Sequence, residues 1–237
     1  MKNIRLFSLS LIVLCLAIFL LGSSSLFQVD EIVVQGNQKL SLEDIKQKLE
    51  SFQGKNLLLI NLNEVAFKLA ADKRIATVEV SRSWPNRITV NLSEKKPVLL
   101  LRTSPIWGLT PTGEVLPVDP SDSLLLPWVD GIGRSNFRPY SRPVIPELGQ
   151  VLELYWAAQD ASNEFLGLTS EIDINSRDDL TLTLAESHTK VYLGRGNYQQ
   201  KLRRLIEILG SEQNLTSSID LRFENLGLVR YANRQEI

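Results

Sequence analysis

The chain has 237 residues, 43% of them hydrophobic and 22% charged, with 26 basic and 27 acidic side chains, one Cys and one His. The balanced charge gives no electrostatic footprint for nucleic acid. A single Cys and a single His exclude an intrachain disulfide and the ordinary zinc ligand sets, and the length calls for one large or two smaller domains.

After Lys2 and Arg5 no charged residue occurs until Asp30. As a helix, residues 6–29 would span roughly 36 Å at about 1.5 Å per residue, against a hydrocarbon core of about 30 Å. The apolar heart is Leu6–Leu21, in which Ser8 and Ser10 can return their hydroxyls to the preceding turn. The basic residues ahead of it place the amino terminus in the cytoplasm and the rest outside. Two readings stay open: a retained transmembrane helix over 6–26 behind a cytoplasmic tip at 1–5, or a cleaved signal peptide with Gly22–Ser25 as its small residues. Either way the bulk of the chain is exported.

Residues 27–35 form a β-branched run stopped by Gly36-Asn37, which predicts a strand and a turn. Ser41 followed by Glu43-Asp44 opens a helix with Leu42, Ile45, Leu49 and Phe52 on one face, ended by Gly54. Leu62, Val65, Ala66 and Leu69 predict a second amphipathic helix. Strands are expected over 75–82 and 87–93, joined by Ser83-Trp84-Pro85-Asn86-Arg87, where Pro fixes φ and Asn tolerates a left-handed conformation. The order β-α-α-β-β lays two helices on a three-stranded sheet.

Beyond Pro97 the pattern shifts to short strands at Val98–Arg102, Ile106–Thr110 and Glu114–Pro117. Residues 118–146, with Pro120, Pro127, Pro139, Pro143 and Pro146, read as an irregular connection packed down by Trp128, Phe137 and Tyr140. A helix from about Glu147 places Leu148, Val151, Leu152, Tyr155 and Trp156 on one face. Strands follow at Glu171–Ile174, Leu180–Leu184 and Lys190–Leu193, the last two joined by a hairpin at Glu186-Ser187-His188. Tyr198, Leu202, Leu205, Ile206 and Leu209 then mark a helix with Gly210 as its C-cap. Ile219–Phe223 and Gly227–Tyr231 close the chain as a hairpin. Lys201, Arg203 and Arg204 read as a solvated helix face.

Chemistry is sparse. His188 has no Gly-x-Ser-x-Gly elbow to serve, and the carboxylates share no obvious cleft. Gly194-Arg195-Gly196 lacks the Lys-Ser/Thr of a phosphate-cradling loop. What remains is main chain: the final strand of an antiparallel sheet tends to lie at its edge, where unpaired N–H and C=O groups can accept a strand from another chain.

Three stretches carry a resemblance. Strand-Gly36-Asn37, Gly54-Lys55-Asn56-Leu57-Leu58, Arg82-Ser83-Trp84-Pro85-Asn86-Arg87 and Glu94-Lys95-Lys96-Pro97 together resemble a POTRA domain. Trp107–Pro117 resembles the strand-turn-strand that follows it in the bacterial cell-division family FtsQ/DivIB. Val191–Gly196, Lys201–Leu205 and Ile219–Phe223 are similar to that family's C-terminal β domain.

The resemblance implies an α+β chain with a transmembrane helix, a β-α-α-β-β POTRA domain at 27–96, and at 97–237 a mixed α/β domain with a mostly antiparallel sheet. It implies a non-enzymatic divisome scaffold in the cytoplasmic membrane, at the septum, with no cofactor, metal or small-molecule substrate. The expected partners are FtsB-like and FtsL-like proteins, received at the terminal hairpin Arg222, Phe223, Glu224, Asn225, Gly227, Leu228, Val229 and Tyr231. There Arg222 would meet an acidic partner residue, and Phe223 and Tyr231 would be aromatic anchors. Arg177 is a further candidate on the same surface, and Phe223, Leu228 and Val229 could equally be core. The alternatives are a POTRA component of protein translocation or outer-membrane assembly, a secreted enzyme, and a soluble exported adaptor.

Overall fold

The computed structural model describes residues 11–13, 25–118, 126–133, 136–162, 165–175, 177, 179–211, 216–223 and 226–231. The cytoplasmic tip and nearly all of the expected membrane helix lie outside them. Among the described residues no helix is long and apolar enough to cross a membrane. The chain divides into two units, Met1–Lys95 and Lys96–Ile237.

In the first unit, β1 (Glu31–Gln35) is followed by α1 (Leu42–Leu49), α2 (Leu62–Ala70), β2 (Ile75–Ser83) and β3 (Arg87–Glu94). The sheet order is β1-β3-β2, with β1 parallel and β2 antiparallel to the central β3. The helices start where the sequence supplies caps: Ser41 Oγ accepts from the Glu43 N–H, and the Asn61 side chain accepts from the Asn63 N–H. Ile45, Leu49, Val65 and Leu69 then meet Ile32, Ile88, Val90 and Leu92 of the sheet in one core. The turn between β2 and β3 departs from expectation. The Trp84–Pro85 peptide is cis, and Asn86 stays out of the left-handed region.

The motifs of this unit turn out to be staples. Gly36 has φ +86°, and a Cβ there would stand 2.0 Å from the Leu92 carbonyl oxygen, so only glycine fits. Beyond Asn37, the residues Gln38, Lys39 and Leu40 all donate backbone N–H to the Glu94 carboxylate at 2.7–3.0 Å. Burial alone would raise the Glu94 pKa; the three donors outweigh it and hold the carboxyl below its ordinary value. Arg82 donates from Nε to the Leu57 carbonyl at 2.9 Å and from Nη2 to the Ile60 carbonyl at 2.7 Å, which pins the loop between the helices.

The second unit is one nine-stranded sheet in the order β12-β11-β10-β9-β8-β7-β4-β5-β6. Its strands are β4 (Leu99–Leu101), β5 (Trp107–Leu109), β6 (Val115–Pro117), β7 (Trp128–Asp130), β8 (Thr169–Ile174), β9 (Leu180–Leu184), β10 (Lys190–Gly194), β11 (Thr216–Phe223) and β12 (Leu226–Tyr231). Most ladders are antiparallel. The parallel ones are β4/β7, β7/β8 and β10/β11. Parallel neighbours need a crossover: β5 and β6 lie between β4 and β7, while helices serve the other two, α3 (Pro146–Ala161) between β7 and β8 and α4 (Tyr198–Ser211) between β10 and β11. Their apolar stripes, Leu148, Val151, Leu154 and Tyr155 with Tyr198, Leu202 and Leu205, pack on the inward residues of the strands.

Four expectations are corrected here. The proline-rich stretch 118–146 is not wholly irregular, because Trp128–Asp130 is a central strand held between β4 and β8. Trp156 lies off the buried stripe, exposed, with Leu154 and Ala158 in the core instead. Gly210 is inside α4 rather than its cap. Lys201 is buried, 6% exposed, and not on a solvated face. Its position three residues after Tyr198 and four before Leu205 puts it on the apolar stripe, and its ammonium is satisfied by the Leu193 and Arg195 carbonyls at 2.7 and 2.9 Å. Gly194, Gly196 and Asn197 all have positive φ, the geometry of the loop that presents those carbonyls. The Gly-x-Gly segment is thus organised around an internal cation, opposite in sign to a phosphate.

Candidate functional site

β12 is the terminal strand of the nine-stranded sheet and pairs on one side only, with β11. The register sets Val229 opposite Ile219, Leu228 opposite Asp220, Arg230 opposite Ser218 and Tyr231 opposite Thr216. The other end of the sheet is treated differently. β6 receives the segment around Ser141: the Val115 N–H donates to the Ser141 carbonyl at 2.9 Å, and the Tyr140 N–H donates to the Val115 carbonyl at 2.8 Å. One edge is covered and, among the described residues, the other is bare.

Alternation along β11 sorts the site. Ile219 and Leu221 are buried beneath the helices, while Asp220 and Arg222 lie on the opposite face. Arg222 is half-exposed and engaged within the chain. Its Nε lies 3.0 Å and its Nη2 2.5 Å from the Asp220 carboxylate, its own backbone N–H donates to Asp220 Oδ1 at 3.0 Å, and its guanidinium stands 5.5 Å over the Tyr192 ring. Arg222 holds the Asp220 carboxyl below its ordinary pKa, and Asp220 raises that of the guanidinium. The Arg222 stem lies across Gly194, where a Cβ would come within 3.1 Å of its Cγ. Arg222 is therefore a positioned, half-neutralised cation rather than a free one.

Phe223 is 53% exposed and Leu228 59%, so both stay out of the core, whereas Val229 is half-buried opposite Ile219. The Phe223 carbonyl accepts a long hydrogen bond from Arg204 Nη1 at 3.4 Å. Gly227 lies within β12, and Tyr231 ends it; Glu224 and Asn225 fall outside the described residues. Arg177 sits in the β8–β9 turn, its N–H donated to Asn175 Oδ1 at 2.8 Å. That turn leads to Leu180, paired with Gly194, so Arg177 shares the end of the sheet where Arg222 lies. Asp220, Tyr192 and Gly194 were missed in the sequence. The i, i+2 spacing of Asp220 and Arg222 on a strand was the signal that could have found the ion pair.

His188 is exposed at the tip of its hairpin with φ +52°. On the open face of β7 and β8, Arg102 stacks over Trp128 at 5.2 Å and bridges Asp130 at 3.3 Å and Glu171 at 3.1 Å. Burial first, then a hydrogen bond with Glu171, pushes the Asp130 pKa up to about 6, against the lowering effect of Arg102. The group is a self-satisfied cluster.

Comparison with known proteins follows the same division. The family described as "POTRA domain, FtsQ-type" matches residues 27–95, and "Cell division protein FtsQ/DivIB, C-terminal" matches residues 106–222, so that β12 lies past the matched stretch. The chain is similar to a "Cell division protein FtsQ" from Anaeromyxobacter sp., 28% identical over 217 residues, covering 90% of this chain and 70% of that protein. It is similar to another from Syntrophotalea carbinolica, 23% identical over 209 residues, covering 88% and 74%. A third, from Geotalea daltonii, is 24% identical over 215 residues, covering 89% and 78%.

Proposed function

The chain belongs to the FtsQ/DivIB family of cell division proteins, and from that premise we propose that it is a membrane-tethered, non-enzymatic divisome scaffold that binds FtsB-like and FtsL-like proteins by strand addition at β12. Residues 6–26 serve as the single-pass anchor, with the amino terminus in the cytoplasm and the two units outside, at the septum. The family match over 106–222 favours this over a POTRA component of translocation or outer-membrane assembly.

The observation that carries the proposal is the asymmetry of the sheet: Val115 at one end is bonded to Ser141, and Leu226–Tyr231 at the other has, among the described residues, a strand partner on one flank only. Six residues of open strand can form up to about six main-chain hydrogen bonds, each worth about 0.5–1.5 kcal/mol net. Side chains alternate around them: Leu228 and Arg230 on the open face, where Arg222 also lies, and Phe223 exposed at the mouth of the hairpin. That combination gives main-chain affinity with side-chain selectivity.

The test is hydrogen–deuterium exchange in the full chain, with and without the extracytoplasmic segments of the FtsB-like and FtsL-like proteins of the same organism. The amides of residues 226–231 are expected to become protected on binding. Binding that leaves their exchange unchanged would move the interface off this edge.

A further inference from the structure

Among the described residues from Leu26 on, the first unit exposes Phe67 on α2 and, near the end of its sheet where the chain enters, Leu26, Leu58, Leu59 and Trp84. Leu26 and Phe27 occupy a single 3-10 turn there, with Leu26 exposed. The Phe27 carbonyl accepts the Leu57 N–H at 2.7 Å, and its ring meets Trp84 edge-on at 5.9 Å between centroids. Trp84 belongs to the β2–β3 turn and is 58% exposed. The Asp30 N–H donates to the Asn86 carbonyl at 3.0 Å, which ties that turn to the entering chain. Arg82 clamps the Leu57 and Ile60 carbonyls and so holds out the turn between them, whose tip carries Leu58 and Leu59. Leu59 is 84% exposed. Hydrogen bonds thus gather Leu26, Leu58, Leu59 and Trp84 into one rim.

We propose that this rim is a lipid-contacting surface, which seats the first unit on the outer face of the bilayer in one orientation. The inference rests on the reading of Leu6–Leu21 as a membrane anchor. Leu26 follows Leu21 by five residues, a span of at most about 18 Å of extended chain, so the rim cannot leave the neighbourhood of the headgroup layer. A tether that short gives the rim a high effective concentration at the bilayer surface. The chemistry suits that layer: a Trp with an exposed face and several leucines, the mixture that membrane interfaces favour. Nearby charges are mixed, with Arg87 paired to Glu31 at 2.8 Å and Lys55 lying 5.3 Å over the Phe52 ring. Apolar contact rather than charge therefore decides the attachment. A seated unit could not swing on its tether, and the path of the chain into the second unit would start from a defined place.

The experiment uses the full chain in a Cys15→Ser background, reconstituted into phosphatidylethanolamine–phosphatidylglycerol vesicles. A nitroxide is placed at Leu59→Cys, and in a separate protein at Gln38→Cys, beyond the far end of β1. Collision with oxygen and with a water-soluble nickel complex is read by electron paramagnetic resonance, and vesicle flotation is scored in parallel. The expected result is flotation, with nickel collisions at position 59 several-fold below those at position 38 and oxygen collisions retained. Equal nickel access at both positions in protein that floats would overturn the lipid contact alone. Loss of both oxygen and nickel access at position 59 would also overturn it, because it marks cover by protein, including a second copy of the chain. Protein that does not float would overturn the anchor and, with it, the contact.

Discussion

Asp220 and Arg222 share one face of β11, and the Asp220 carboxylate receives both the guanidinium and the backbone N–H of Arg222. An acidic partner residue reaching this strand therefore competes with a carboxylate already in place. Asp220→Asn is expected to tighten binding of an acidic partner segment several-fold by releasing the guanidinium. Arg222→Glu should weaken that binding and also cost up to about 1 kcal/mol of stability, the scale of a half-exposed ion pair. Isothermal titration calorimetry together with thermal denaturation separates the two effects.

Phe223 is the opposite case, an aromatic side chain held outside the core at the mouth of the terminal hairpin. Phe223→Ala should leave stability within about 0.5 kcal/mol of the parent chain and reduce partner affinity about tenfold or more, as loss of an interface anchor does. A large drop in melting temperature would instead make Phe223 a core residue.

Lys201 is the buried cation of the second unit. Lys201→Met keeps much of its volume but leaves the Leu193 and Arg195 carbonyls without their ammonium donor, at a cost of about 2–4 kcal/mol. Because Gly194 lies under the Arg222 stem, the same change should loosen the Arg222 end of the sheet. Thermal denaturation measures the first effect, and exchange of the 192–196 amides the second.

Asp130 gives the second unit an unusual pH response. Its folded pKa, about 6, is raised above the ordinary value of 3.8, so the folded state holds the proton more tightly than the unfolded chain. Its contribution is fully present below pH 4 and is lost as pH rises through 6. For a mostly buried group this amounts to a decline on the order of 1–2 kcal/mol between pH 4 and 7. Denaturant unfolding followed in the second unit should show that slope in the parent chain and lose it in Asp130→Asn. Asp72 in the first unit has the reverse sign. Arg74 first, with Lys48, holds its carboxyl far below the usual range against the effect of burial, so its contribution is lost only in strong acid.

The first unit was the more legible in the sequence because its determinants are local. Ser41 and Asn61 cap helices that begin next to them, and β2 and β3 alternate cleanly across one short turn. What the second unit hid was non-local. β7 is three residues long amid prolines, and it is a strand only because Leu100 and Leu101, nearly thirty residues earlier, and Glu171–Asp173, some forty later, flank it. Lys201 was misread because a charge suggested solvent, although its place between Tyr198 and Leu205 on the helix stripe pointed inward. At the candidate site, the terminal hairpin could be read from alternation and turn residues, but Phe223 was left open between core and surface, because alternation puts it on the face of the buried Ile219 and Leu221 although it is exposed. The pairing of Arg222 with Asp220 and its packing on Gly194 required the neighbouring strand.

The bond between Val115 and Ser141 has one more consequence. With that flank of the sheet sealed, copies of this chain cannot stack head to tail through their sheets, because any such contact needs one open flank of each kind. On the proposed strand addition, the carboxyl-terminal flank would take a single guest strand per host, and the assembly would stay a countable complex instead of lengthening into a fibre.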